Sequence, residues 1–246
     1  MLRRFRADLH VHTCLSPCGD LRMSPRNITA QAGKRGIMLL AVCDHNSAEN
    51  VGAVMKAAEA GNVTVLPGME VCSREEIHVL AIFENLESDL SLQSMVYDHL
   101  AGQNDPDAFG LQVVCNECDE VMGYQDRLLI GAVNLPIEEI VEAIHEREGV
   151  AVASHIDRES FSVISQLGFI PESLKFDALE LSTNIADDDA RRRFVAYTDN
   201  TFVRNSDAHE LEQLGRNTCE YLLERPSFRE MRLALGMLDG RMVCTG

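Results

Sequence analysis

Short apolar stretches alternate with helix-like stretches along most of this chain. Residues 37–43 form a continuous apolar run, as expected of a strand that is buried on both faces. Further strands are predicted over residues 7–12, 63–66, 77–83, 150–154, 178–181 and 202–205. Helices are predicted over residues 24–36, 48–60, 88–100, 136–148, 161–167, 186–198 and 227–235. Repeated strand–helix units indicate a largely parallel α/β sheet, which either closes as a barrel or stays open and doubly wound.

The length of 246 residues suits a single α/β barrel, so we predict one domain over residues 1–246. Residues 102–131 do not follow the strand–helix rhythm and are expected to be irregular. No apolar run is long enough to span a bilayer, and the N-terminus turns polar too early for a secretion signal. We therefore expect a cytoplasmic protein that does not act on membranes; the sequence does not indicate its oligomeric state.

The chain is strongly acidic, with 39 Asp and Glu against 22 Lys and Arg and a net charge of −17. Such a surface repels long polyanions unless a basic patch or bound metals invert the local field. We therefore expect a small ligand in preference to long duplex nucleic acid. Among the cysteines, Cys115 and Cys118 form a single CxxC, which is a weak signal without a second pair. Cys14 and Cys18 lie near the first histidine motif, and an accessory role for them is left open.

Residues 8–12, Asp-Leu-His-Val-His, place two histidines on one predicted strand. Residues two apart point to the same face of a strand, so His10 and His12 can reach one site. For this reason His-x-His is a frequent spacing of metal ligands. Asp20 follows a Ser-Pro-Cys-Gly turn, which is expected to return its carboxylate to the same pocket.

Further candidate ligands follow at other strand boundaries. They are His45, Glu70, His78, His155, Asp207 and His209. Six of the eight histidines lie at such boundaries, five of them at the C-terminal ends of predicted strands. Those ends converge at one mouth of a parallel barrel. The sequence therefore predicts a metal site of histidines and carboxylates at that mouth.

The same residues resemble the motifs of the PHP family, the polymerase and histidinol phosphatase superfamily, across nearly the whole chain. The motifs are residues 8–13 with Asp20, 43–45, 67–71 with His78, 154–155 and 206–209. The resemblance implies a distorted TIM-like barrel of about seven β/α units. It also implies two or three divalent metals, manganese, zinc or iron. The ligands implied are His10, His12, Asp20, His45, Glu70, His78, His155, Asp207 and His209.

The resemblance further implies a phosphoesterase, which hydrolyses phosphate esters of small molecules or nucleotides with a water molecule that the metals activate. Glu70 is the expected bridging carboxylate, and Asp207 and His209 are the other expected catalytic residues. Arg158 and Arg204 lie next to ligand motifs in sequence, so we expect them to hold the phosphate.

Three other interpretations stay open. Metal-dependent amidohydrolases and deaminases also use His-x-His on a first strand, but they usually need a carboxylated lysine or an equivalent bridging group. No lysine stands at a predicted strand end here. An exonuclease acting on nucleic-acid ends is the second alternative, since PHP relatives act on nucleotides and nucleic-acid ends. A non-catalytic metal-binding module is the third, and the complete set of ligands argues against it.

Overall fold

The computed structural model describes residues 1–244. Its β-strands are β1 (Arg3–Val11), β2 (Leu39–His45), β3 (Thr64–Cys72), β4 (His78–Ile82), β5 (Val113–Cys115), β6 (Val121–Tyr124), β7 (Val150–Ala153), β8 (Ala178–Leu181), β9 (Phe202–Arg204), β10 (Cys219–Leu223) and β11 (Met242–Cys244). Its α-helices are α1 (Pro25–Lys34), α2 (Val51–Ala58), α3 (Leu86–His99), α4 (Pro106–Phe109), α5 (Ile137–Glu146), α6 (Val163–Leu167), α7 (Asp187–Arg193) and α8 (Phe228–Leu235). A 3-10 turn at Val195–Tyr197 follows α7.

Nine strands form one sheet in the order β11-β10-β1-β2-β3-β4-β7-β8-β9. The segment that follows β9 returns to β1. There the His12 amide donates to the Ala208 carbonyl at 3.0 Å, and the Leu9 amide donates to Asn205 Oδ1 at 2.7 Å. The run of strands from β1 to β9 therefore curves into a nearly closed barrel. This confirms the predicted distorted α/β barrel, although β10 and β11 extend the sheet beyond it.

One barrel strand runs against its neighbours. β4 pairs antiparallel with both β3 and β7, whereas the expected parallel pairing holds between β1 and β2, β2 and β3, β7 and β8, and β8 and β9. β3 ends at Cys72 and β4 begins at His78, a connection too short for the helical crossover that parallel strands need. The reversal brings His78, the first residue of β4, to the barrel end where the neighbouring strands finish.

Two differences from the predicted elements are two strands that were not predicted and an earlier start of one helix. The hydrophobic rhythm does not reveal β10 or β11, which are short; β10 pairs antiparallel with β1. Helix α3 begins before the predicted cap at Ser88. Asn85 is the cap instead, and its side chain accepts a hydrogen bond from the Ser88 amide at 2.9 Å.

Residues 102–131, which were expected to be irregular, contain α4 and the antiparallel hairpin β5–β6. This segment packs on the loop that follows β1. The Val113 amide donates to the Cys14 carbonyl at 3.0 Å. A Cβ atom at Gly110, which has a φ of 101°, would lie 2.4 Å from the Pro17 carbonyl oxygen. Only glycine permits so close an approach, so the segment fixes this loop from outside.

Apolar side chains fill both sides of the barrel wall. Leu9, Leu39 and Leu80 lie in the cluster inside the barrel, whereas Leu40 and Val42 pack against the helices. The inside is therefore a packed core rather than a channel, and the buried histidines of the predicted site lie at one end of it. No helix within residues 1–244 is long and apolar enough to cross a membrane.

Candidate metal centre

Buried histidines and carboxylates converge at one end of the barrel. Three overlapping groups have possible ligand atoms within 4.8 Å of one another: His12 with His45 and His209; His10 with His12, Glu70 and Asp207; and His45 with Glu70 and His78. His155 joins them, since its Nε2 lies 3.4 Å from Glu70 Oε1. The structure thus brings together every predicted ligand except Asp20. Their coordination of metal stays a prediction.

Glu70 lies at the centre of this cluster, and its side chain is 1% exposed. Five histidine nitrogens surround its carboxylate: His78 Nδ1 at 3.0 Å, His45 Nδ1 at 3.1 Å, His10 Nε2 at 3.3 Å, His155 Nε2 at 3.4 Å and His12 Nε2 at 3.5 Å. Oε1 faces His10, His78 and His155, whereas Oε2 faces His12 and His45. A carboxylate placed in this way can bridge two metals.

The rings of His10 and His12 are oriented by partners behind them. His10 Nδ1 lies 3.1 Å from both oxygens of Glu180, and His12 Nδ1 lies 2.9 Å from Ser16 Oγ. Ser16 Oγ donates its own hydrogen to Asp44 at 2.7 Å, so it accepts the proton of His12 Nδ1. With the Nδ1 protons directed to these partners, both Nε2 atoms would offer their lone pairs to a metal, and they lie 3.1 Å apart. Metal-binding histidines are commonly held by such hydrogen bonds to the second ring nitrogen.

Several buried polar atoms at this end have no hydrogen-bond partner within residues 1–244. They are Glu70 Oε1, His78 Nδ1, His155 Nδ1 and the hydroxyl oxygens of Ser154 and Ser206. Glu70 Oε1 and His78 Nδ1 lie 3.0 Å apart, but they do not form a hydrogen bond. An unpaired buried polar group costs about 1–3 kcal/mol, so atoms of this kind at one place indicate a partner of another type. Imidazole nitrogens and carboxylate oxygens are ligands of zinc, manganese and iron. The buried cluster therefore suits a multinuclear metal site.

The electrostatics of the cluster oppose the effect of burial on its carboxylates. Burial raises the pKa of a carboxyl group, but the surrounding histidines hold the pKa of Glu70 and of Asp207 well below the usual range. Burial lowers the pKa of His12 well below its usual value, and His209 and His45 add to the effect. An ionised Glu70 and a neutral His12 are the protonation states that bind a cation.

Two of the predicted ligands have strained backbones. His155 and Asp207 have φ values of 29° and 49°, which residues other than glycine seldom adopt. The His155 amide donates to Glu180 Oε2 at 3.0 Å, so the carboxylate that orients His10 also holds this turn. Strain of this kind persists where the surroundings fix it, frequently at functional sites.

The structure places Asp20 and Arg204 away from the cluster and corrects their expected positions. The Asp20 carboxylate accepts hydrogen bonds from the Arg22 amide at 2.7 Å and from its guanidinium at 3.0 Å, because the turn after Gly19 directs it to the surface. Arg204 donates to Asp187 at 2.6 Å. Its neighbour Val203 points into the barrel, so alternation along β9 turns Arg204 outward, toward α7.

Arg158, in contrast, lies at the cluster. Its Nη2 donates to Asp207 Oδ2 at 2.6 Å, and its side chain is 35% exposed. It borders an open cleft of about 700 Å³, whose other lining residues are Cys18, Thr183, Ser206, Asp207, His209, Glu210, Gln213 and Arg216. The cleft reaches the cluster at Asp207 and His209, which gives a ligand from solvent access to the predicted metals.

Sequence reasoning misses the roles of Glu180 and Asp44. Glu180 is 1% exposed on β8, and besides His10 it accepts a hydrogen bond from Asn205 Nδ2 at 2.7 Å. The available signal is a single acid within the apolar strand Ala178–Leu181. Asp44 belongs to none of the groups of candidate ligands. It accepts from the amide and the hydroxyl of Thr13, both at 2.7 Å, and so holds the loop after β1.

Cys18 also lies at the mouth of the cleft. Desolvation by the surrounding protein raises the pKa of its thiol. Hydrogen bonds with His209 and His45 outweigh this effect and lower the pKa of Cys18 to about 6. The residue as a whole is exposed to solvent. Its nearness in sequence to the first motif is the only signal that the chain offers for it.

A nearly closed α/β barrel with buried histidines and carboxylates at its mouth is the arrangement of metal-dependent barrel hydrolases. The PHP domain model matches residues 8–166, and the chain belongs to the PHP domain family. The match ends before Asp207 and His209, which the end of β9 brings to the same cluster. Members of this family are metal-dependent hydrolases, which supports a hydrolase here.

The chain is 33% identical over 100 residues to an uncharacterized protein of Methanocaldococcus jannaschii. The aligned part covers 37% of this chain and 58% of that protein. This similarity agrees with the family assignment, but it gives no information on the activity.

Solved structures share the fold at low sequence identity. The lesion-specific endonuclease PfuEndoQ from Pyrococcus furiosus is 21% identical with a TM-score of 0.77, covering 98% of this chain and 58% of its own. A complex of Endonuclease Q with a 27-mer duplex substrate, which has an abasic lesion at the active site, is 20% identical with a TM-score of 0.73, over 98% of this chain and 58% of the other. A candidate metal-dependent phosphoesterase from Bifidobacterium adolescentis is 18% identical with a TM-score of 0.63, over 94% and 96%. The chain thus spans little more than half of the endonuclease.

Proposed function

We propose that the chain is a phosphoesterase that hydrolyses phosphate esters of small phosphorylated molecules or nucleotides. The observation that supports it most is the ring of five histidine nitrogens around Glu70, beside a cleft bordered by Arg158. With metals bound, such a cluster beside a guanidinium fits a phosphoryl group, whose oxygens carry the negative charge.

The proposed metals are manganese, zinc or iron. The residues that would hold them are His10, His12, Glu70 and Asp207 in one group, His78 and His155 beside Glu70, and His45 with His209. When bound, such ions neutralise phosphoryl charge and lower the pKa of water to near neutrality. Glu70, Asp207 and His209 are the proposed catalytic residues.

The chain's own residues have separate tasks in this proposal. Glu180 keeps the His10 Nδ1 proton, so that Nε2 stays a lone-pair donor. Arg158 binds Asp207 in the free protein and would turn its remaining N–H groups to a phosphoryl oxygen. The buried cluster floor excludes bulk water, which strengthens these charge interactions.

A second candidate function is a nuclease acting on DNA. It differs from the proposed phosphoesterase in the size of its substrate. The net charge of −17 disfavours long duplexes. The similarity to Endonuclease Q, which is solved with an abasic duplex in its active site, favours the second candidate. That similarity shows the fold alone, and this chain spans only 58% of that enzyme.

An amidohydrolase or deaminase is the third candidate. An amidohydrolase from Chromobacterium violaceum, solved with sulfate, shares the fold at a TM-score of 0.59 and 18% identity, over 86% of this chain and 90% of its own. The chain has three lysines, Lys34, Lys56 and Lys175, and all are exposed, so none lies among the buried ligands where it could be carboxylated. The single-domain extent and the cytoplasmic location expected from the sequence also stay proposals.

The test is a substrate panel with metal-loaded protein at physiological salt. It compares kcat/KM for sugar phosphates, mononucleotides, short oligonucleotides, intact duplex DNA, abasic duplex DNA and amide or aminopurine substrates. The proposal expects the highest value for a small phosphate ester. A best substrate among the duplexes, with binding that falls steeply as salt rises, would replace it with the nuclease. Turnover of amides alone would replace it with the amidohydrolase.

A further inference from the structure

The outermost group of candidate ligands contains one histidine that is already engaged deeper in the site. The group consists of His12, His45 and His209. His12 Nδ1 is bound to Ser16 Oγ, which leaves Nε2 as its one free lone pair. That Nε2 lies 3.1 Å from His10 Nε2 and 3.2 Å from Asp207 Oδ1, within the inner group. A single lone pair binds one metal, so the outer position retains only two imidazoles.

Two imidazoles are too few for a divalent metal in a protein, which ordinarily has at least about three protein ligands. Asp20 does not supply the missing one, because its carboxylate is bound to Arg22, whose guanidinium also binds Glu212 at 2.9 Å. Asp207 is directed to the inner group and to Arg158. Glu70 Oε2 lies 3.1 Å from His45 Nδ1, but Glu70 shares with His209 none of the groups of candidate ligands found within residues 1–244. None of these three carboxylates therefore completes the outer position.

The Cys18 thiol lies within hydrogen-bonding reach of the imidazoles of His45 and His209, and Cys18 and His209 both line the cleft. The loop that carries it is fixed at both ends. The Gly19 amide donates to the Ser16 carbonyl at 2.8 Å, and the Asp20 amide donates to the His209 carbonyl at 2.8 Å. The sulfur is therefore held next to two ring nitrogens that lack a third partner.

We propose that Cys18 is the sulfur ligand of the outermost metal, together with His45 and His209. The inference rests on the proposed function, in that the cluster holds metals. On binding, the thiol proton passes to solvent and a metal–sulfur bond forms, with no change of oxidation state. Thiolate is a soft ligand, so this position should prefer zinc or cobalt to manganese or magnesium.

The experiment uses the full chain reconstituted with Co²⁺ and, in parallel, with Zn²⁺. Cobalt–thiolate bonds give a charge-transfer band in the near ultraviolet that nitrogen and oxygen ligands do not give. Zinc X-ray absorption should show a sulfur neighbour at about 2.3 Å. The variants are Cys18→Ser and Cys18→Asp. Cys118→Ser is the matched control, since Cys118 is also exposed but its sulfur binds Arg26 Nη2 at 3.2 Å.

Wild type and Cys118→Ser are expected to show the band and the same metal content. Cys18→Ser should lose the band and about one metal per chain, while Cys18→Asp should regain the metal without the band, since a carboxylate also binds zinc and cobalt. A band of wild-type intensity in Cys18→Ser would overturn the inference. Metals bound by the wild type without a sulfur signal would overturn it and leave the proposed function standing. A wild type that binds no metal would overturn both.

Discussion

Two buried carboxyl groups in this molecule have opposite electrostatic surroundings. Glu70, at the barrel mouth, has five histidine nitrogens within 3.5 Å, which hold its pKa well below the usual range against the effect of burial. Asp89, on α3, is 0% exposed, and neither oxygen has a hydrogen-bond partner within residues 1–244. Burial, with a further contribution from Asp44, raises the pKa of Asp89 well above its usual value.

The difference shows that burial alone does not identify a functional carboxylate. A carboxyl group that is only desolvated takes up a proton, whereas one surrounded by imidazoles stays charged and can bind a cation. Charge compensation therefore distinguishes the metal centre from the interface between α3 and the sheet. The same chemical change, carboxylate to carboxamide, should have opposite consequences at the two positions.

The largest effect is expected from Glu70→Gln. Loss of the central negative charge should lower the number of bound metals and reduce kcat/KM by about 10³-fold or more, because charge stabilisation at the reacting group is lost. The free energy of unfolding should also fall, by about 3–5 kcal/mol, as is usual when one partner of a buried charged group is removed.

Activity, metal content and urea denaturation measured on the same preparation test this prediction. Glu59→Gln, an exposed position at the end of α2, is the control and should match the wild type. Since the pKa of Glu70 is lowered, its contribution to stability should be present at neutral pH and lost on acidification. If Glu70→Gln bound as much metal as the wild type, Glu70 would not be needed to bind the cations, and its contrast with Asp89 would fail.

Glu180→Gln tests whether the contrast extends to the residue behind the cluster. The amide preserves shape but weakens the acceptor of the His10 Nδ1 proton, so we expect metal affinity to fall about 10–100-fold. Competition with a chelator measures the affinity. Unchanged affinity with unchanged stability would mean that Glu180 does not orient His10.

Arg158 and Arg204 provide a second contrast, between an arginine at the cleft and one turned away from it. Arg158→Ala should lower kcat/KM on a phosphate ester about tenfold, because one hydrogen bond between charged groups is lost. Arg204→Ala should leave kcat/KM unchanged, since its guanidinium binds Asp187 and the Ser182 carbonyl. Equal losses in both variants would contradict the assignment of the phosphate to Arg158.

The sequence predicts the barrel and most of the cluster because both depend on periodicity. Residues at the ends of parallel strands meet whatever the detailed packing, so His45, His155 and Asp207 could be placed from strand positions alone. His78 fits the same rule only after β4 is known to run antiparallel, which follows from the short connection to β3.

Asp20, Arg204 and Glu180 could not be placed in this way. The direction of Asp20 depends on a tight turn, and that of Arg204 on strand register, where a shift of one residue reverses the face. Glu180 reaches His10 across 170 positions in sequence, and a single strand pattern contains no information about such a partner. Side-chain direction, rather than element order, therefore limits prediction of this site.

The smallest effect is expected from Asp89→Asn. The change in the free energy of unfolding should have the opposite sign to that of Glu70→Gln. Because the pKa of Asp89 is raised in the folded protein, the folded state holds the proton more tightly than the unfolded chain. Its contribution to stability is therefore fully present below the unfolded pKa of about 3.9 and is lost as pH rises through the folded value. Asparagine has no proton to lose, so the variant should be more stable than wild type at neutral pH by about 1 kcal/mol, and equal to it or less stable in acid.

Urea denaturation of metal-loaded protein at several pH values measures the difference between variant and wild type, which cancels the pH dependence common to both. Asp98→Asn, at an exposed position of the same helix, controls for the loss of one negative charge from a chain of net charge −17. A gain in stability that is independent of pH would point to packing rather than to the buried charge. A loss at neutral pH, as expected for Glu70→Gln, would show that Asp89 has a compensating partner as well, and the contrast between the two carboxyl groups would then fail.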